Sequence, residues 1–77
     1  MKAFAIDVDG FDSMAAAADT RSKAVYLAYR GAQDAGCSSV KFDRIKARRC
    51  ERLDGWAAKQ ERPRLTAMNQ AEHEHRG

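Results

Sequence analysis

The stretch "KAFAIDVDGFDSMAAAAD", residues 2–19, decides how the rest of the chain must be read. Phe4, Ile6 and Val8 fall on one side of an extended backbone, and Ala3, Ala5 and Asp7 on the other. A period of two marks a strand with one buried face. Asp9-Gly10 follows at once. Asp-Gly between alternating segments favours a two-residue hairpin loop, because a type I′ turn needs positive φ at both central positions. In that register Val8 faces Phe11, Ile6 faces Ser13 and Phe4 faces Ala15, so the apolar sides of the two strands agree. The run "MAAAAD", residues 14–19, would favour helix on propensity alone. The hairpin register overrides it.

The remaining elements follow from this hairpin. "DTRSKAVYLAYRGAQDAG", residues 19–36, predicts a helix capped by Asp19 or Thr20 and stopped by Gly36. Ala24, Val25, Leu27, Ala28, Gly31, Ala32 and Ala35 share one face, with Tyr26, Arg30 and Gln33 opposite. Close approach to a sheet would explain Gly31, which costs about 1 kcal/mol against alanine inside a helix. "VKFDRIKARRCERL", residues 40–53, fits either helix or strand. A strand at 43–49 is preferred, with Ile45 and Ala47 inward and Lys46 and Arg48 outward, because two strands alone are marginal. Trp56 is the last large anchor, read as core or as a cover over the sheet.

The predicted class is therefore α+β. Residues 1–56 form a small ββαβ domain: a three-stranded antiparallel sheet of order 2-1-3 with one helix on one face. Residues 57–77 form a charged, polar C-terminal tail, peripheral or mobile, with a short helix near 64–72. The other sheet face would expose Ala3, Ala5, Asp7, Asp12, Met14, Ala16, Lys46 and Arg48.

Three aspartates, Asp7, Asp9 and Asp12, raise the question of an acidic site. "IDVDGFD" resembles the D-x-D-G nucleophile motif of haloacid-dehalogenase-type phosphatases, in which one carboxylate attacks phosphorus and Mg²⁺ holds the phosphate. A chain of 77 residues is too short for that fold, and Phe11 follows the glycine where Thr or Val is usual. A calcium loop fails too, since its required glycine would fall on Asp12. Turn chemistry accounts for Asp9. Asp7 and Asp12 then face each other across the hairpin, with Lys46 or Arg48 able to relieve the repulsion.

Charge is uneven along the chain. Residues 1–36 carry four basic and five acidic side chains, residues 37–77 ten basic and six acidic. The basic strip Arg44, Lys46, Arg48, Arg49 and Arg52 is the candidate partner-binding site, since arginine grips carboxylates and phosphates bidentately. Its bland alternative is an edge strand guarded by charge. No aromatic platform interleaves with it. "EHEH", residues 72–75, reads as solvated tail rather than metal ligands. Cys37 and Cys50 lack CxxC spacing and read as free thiols. No phosphate loop, dinucleotide fingerprint or nucleophile–base motif stands out, so no enzyme activity, cofactor or metal is expected. No secretory leader or membrane-length apolar run is visible, which predicts a cytoplasmic protein.

"TRSKAVYLAYRGAQDAG" followed by "FDRIKARRCERLD" resembles a group of small phage-encoded proteins. They share an M-K-strand start, an "SKA" helix with an aromatic near its middle, an "AG" stop and an I-K-V-R-R strand. The likeness spans about residues 2–54. Some ββαβ proteins of phages and mobile elements are anti-CRISPR proteins, which bind type I surveillance complexes and block target DNA. The resemblance implies a non-enzymatic inhibitor that binds a host protein complex inside the bacterial cell. The small core separately suggests a monomer or weak dimer. It supplies no catalytic residue. The basic half independently raises a second class, a small nucleic-acid-binding or regulatory module.

Overall fold

Phe4 and Ile6 do lie on one face of a strand, and the computed structural model, which describes residues 1–37 and 39–76, shows why both faces matter. Strand β1 (Lys2–Asp7) is central and pairs antiparallel with β2 (Met14–Ala18). On its other side it pairs antiparallel with β3 (Lys46–Arg49). A fourth strand, β4 (Arg64–Ala67), pairs antiparallel with β2. The order is β3-β1-β2-β4. The α+β class and the 2-1-3 order hold inside this sheet. Three strands and one packed helix were expected, with a short helix near 64–72 in the tail; the described residues hold four strands and three helices. Helix α1 (Arg21–Asp34) covers one face, while α2 (Asp54–Ala58) and α3 (Met68–Arg76) cover part of the other.

The hairpin differs from its expected form by one residue. Phe4 lies opposite Ala16 and Ile6 opposite Met14, not Ala15 and Ser13. Residues 8–13 form the connection. Phe11 N–H donates to Val8 O at 3.0 Å, and Gly10 alone takes positive φ, at 86°. That is the pattern of a turn with glycine at its third position, not of a type I′ turn. The one-residue change turns every side chain of β2 over. Ala16 and Ala18 join Phe4, Ile6, Val8, Ile45 and Ala47 beneath α1. Ala15 and Ala17 join Ala3 against Leu53, Trp56, Ala57 and Ala71. All four alanines are fully buried. A strand covered on both sides carries no alternation to mark its register.

Replacing Gly10 by Val should destabilise the domain by about 1–2 kcal/mol, because a β-branched residue resists the left-handed region. No atom crowds the position, so backbone strain is the whole effect. An unchanged melting temperature in the Gly10→Val chain would count against this turn.

Helix α1 follows the expected plan. Thr20 caps it, its hydroxyl accepting from Lys23 N–H at 3.2 Å, and Gly36 sits beyond the end at φ 85°. Ala24, Ala28 and Ala32 are buried, Val25 and Leu27 half-buried, Tyr26 and Arg30 exposed. Gly31 faces Leu65 of β4 so closely that a Cβ would lie 2.9 Å from Leu65 Cδ2. The small face thus admits a strand that the polar sequence after Trp56 concealed. The expected strand at 43–49 is shorter, since residues 42–44 form a 3-10 turn before Ile45.

Residues 57–77 were expected as a peripheral or mobile tail with a short helix near 64–72. Residues 64–67 instead form the fourth strand, and the helix lies at 68–76, packed on the sheet. Arg64 makes a bidentate pair with Glu74 at 2.6 and 2.9 Å, and Trp56 Nε1–H donates to Glu74 Oε1 at 3.2 Å. Glu74 is held well below the usual carboxylate range, at about 2, first by Arg64 and then by Gln70 and Trp56. Among the described residues no helix is long and apolar enough to cross a membrane.

Candidate functional site

The basic strip lies along the β3 edge and the turn that follows it. Pairing fixes the directions: Ala47 sits opposite Ile6 on the α1 face, while Lys46 and Arg48 sit opposite Asp7 and Ala5 on the second face. The expectation that Lys46 and Arg48 point away from α1 holds. Helix α2 and its preceding 3-10 turn (Glu51–Leu53) cover only the Ala3, Ala15 and Ala17 end of that face. Its other end stays open as a cleft of about 410 Å³, lined by Ala5, Asp7, Ser13, Arg48, Arg49, Cys50, Arg52 and Met68.

Three guanidinium groups therefore reach one cleft, and each is held by a carboxylate of the same chain. Arg48 pairs with Asp7 at 3.3 Å. Arg49 donates to Asp54 Oδ2 at 2.8 Å and to Ala3 O at 3.1 Å. Arg52 reaches Glu72 at 3.3 Å. Asp54 is pushed down to about 2, chiefly by Arg49 and next by Ala3 N–H, so it stays ionised through the whole physiological range. Arg44 and Lys46 line a neighbouring hollow with Asp7, Asp9 and Asp43. The strip that looked basic in sequence is interleaved with acid in space.

The expected opposition of Asp7 and Asp12 is not present. Asp12 lies in the connecting loop, and Asp7 is served by Ser13 Oγ–H at 3.0 Å and by Arg48. Of the eight residues expected on the open face, Ala3 is covered and Met14 and Ala16 point to α1. Ala5, Asp7, Lys46 and Arg48 remain. Met68 and Glu72 complete the site and were missed as site residues, because they belong to the segment read as a peripheral tail. The short helix expected near 64–72 is present in part, at Met68–Arg76, but its packing against the sheet was not expected.

No family model, curated protein or solved structure matches this chain. The site must therefore be read from its own geometry. Among the described residues no three His, Cys, Asp or Glu side chains are grouped to hold a metal, and no polar or charged residue is buried. His73 and His75 are exposed on α3, while Glu72 and Glu74 are engaged by Arg52 and Arg64. Both cysteines are free and half-buried. What the cleft offers is a shallow polar surface on the sheet, with each guanidinium group beside a carboxylate of the same chain. Such a surface suits recognition of a polar, mixed-charge partner.

Proposed function

We propose that the chain is a non-enzymatic inhibitor of phage or mobile-element type that binds a host protein complex. Its named form is an anti-CRISPR protein that blocks target DNA binding by a type I surveillance complex. The likeness of residues 2–54 to small phage-encoded proteins supports the class. One observation carries the choice of a protein partner over nucleic acid: Arg48, Arg49 and Arg52 are each matched by a carboxylate beside them. Duplex DNA rewards uncompensated positive charge, because affinity comes from counterion release at each phosphate. A mixed-charge cleft rewards a partner with its own fixed pattern of charges.

The test is a target-DNA binding assay with a purified type I surveillance complex, run with the wild-type chain and with Lys46→Glu/Arg48→Glu. Both side chains are exposed, so circular dichroism should show an intact fold. The wild-type chain should suppress DNA binding by the complex, and the double variant should not, since like charges set against each other cost several kcal/mol at an interface. The wild-type chain alone should bind the same duplex poorly. Tight binding to bare duplex, weakening with a log–log salt slope of about −0.9 per phosphate, would replace this reading with a nucleic-acid-binding module.

A further inference from the structure

The sheet has two free edges, and they differ in kind. The β3 edge carries Lys46, Arg48 and Arg49, the charge that natural sheets use to refuse another strand. The β4 edge reads Leu65, Thr66, Ala67, and its one cation, Arg64, is folded back onto Glu74. Beside β4, on the α1 side, runs an apolar groove of about 240 Å³. Phe11, Met14, Gly31, Ala32 and Leu65 line it, and Phe11 is 40% exposed.

Charge at the two ends of β4 says what fits there. Met68 N–H donates to Ser13 O at 3.1 Å, so the Ala67 end of the strand lies beside the loop that holds Asp12. Arg64 pairs with Ala17 at the opposite end, and Arg62 lies just beyond it. Both Asp12 and Arg62 are exposed, and neither enters an ion pair among the described residues. Among the described residues the edge thus carries an unpaired acid, Asp12, at one end and an unpaired base, Arg62 beside Glu61, at the other, with Leu65, Thr66 and Ala67 between.

We propose that this edge is a dimer interface, in which β4 pairs antiparallel with β4 of a second copy about a two-fold axis. Antiparallel pairing brings Arg62 of each protomer to the Asp12 end of the other, twice by symmetry. Parallel pairing would set like charges together. The two-fold keeps both α1 helices on one side of a continuous sheet, so the two Leu65 side chains and the two grooves close on each other. The surface lies at the far edge from the strip on β3. Its failure would therefore leave the proposed inhibitor function standing.

The experiment is sedimentation velocity from low to high micromolar concentration. The mass should rise from 8.6 kDa toward twice that value. Arg62→Glu and Asp12→Arg should each weaken the dimer about tenfold, two exposed ion pairs being lost per interface. The doubly swapped chain should recover wild-type association. A mass of 8.6 kDa at every concentration overturns the proposal. So does a dimer that neither reversal weakens, or one that the double swap fails to restore.

Discussion

A chain ended after Gln60 is expected to lose its fold outright. The deletion removes β4 and α3. It strips β2 of its outer partner and takes Ala71 off the face formed by Ala15, Ala17 and Trp56. Leu65, which packs against Gly31, and Met68 go with it. Burial of a large side chain is worth about 1.5–3 kcal/mol, so losing the burial of Leu65 and Met68, and uncovering the core they shield, removes roughly 5 kcal/mol before the lost pairing is counted. A domain of this size holds about 4–12 kcal/mol in all. The remnant would also be smaller, and small domains bury a lower fraction of their surface. Circular dichroism and proton chemical-shift dispersion on the shortened chain decide the matter. A cooperative melt at the full-length temperature would mean that residues 61–77 are the peripheral tail their composition implies.

That contrast marks how far the sequence could be read. The α1 boundaries were legible because they are written in local chemistry, a threonine cap and a glycine stop, which act within a turn or two of the backbone. β1 was legible because its apolar residues alternate. Trp56 was legible as an anchor because it is the last large apolar residue before a long polar stretch. β2 was misread by one position. Four alanines in a row fit either face equally, and the turn at Asp9-Gly10 proposed a loop shorter than the real one. The register is set by what covers each face, and the cover on the second face comes from residues 53–71, far along the chain. β4, and the docking of the helix expected near 64–72, hide for a related reason. The two elements add few large apolar groups of their own and are held by Leu65 on the α1 face, by Met68 and Ala71 on the second face, and by the Arg64–Glu74 pair. Composition counts such a segment as tail. The candidate site was half legible: Arg48 as the partner of Asp7 follows from the strand faces. The pairing of Arg49 and Arg52 with Asp54 and Glu72 does not, because those contacts require α2 and α3 to be in place.

Trp56→Ala should cost about 3–5 kcal/mol, the largest effect expected from any single substitution here. Trp56 is 1% exposed and the bulkiest fully buried side chain in the chain. It packs with Ala3, Ala15, Ala17, Leu53, Ala57 and Ala71 on the second face; the alanines cannot reach into the space it leaves, and only Leu53, Met1 and Met68 could fill part of it. The indole also donates to Glu74, the residue that clamps Arg64. Trp56→Phe separates the two roles. It keeps most of the apolar volume and removes only the donor, for about 1 kcal/mol. Combined with Glu74→Gln it should show coupling, since the two residues touch. Acid gives an independent reading of the same contact. The Glu74 carboxyl lies below its ordinary value of 4.5, so its contribution is complete above about that pH and fades as pH falls toward about 2. The melting temperature of the wild-type chain should therefore drop across that interval more steeply than that of Glu74→Gln. If Trp56→Ala melts within a few degrees of wild type, α2 and α3 do not seal the second face of the sheet.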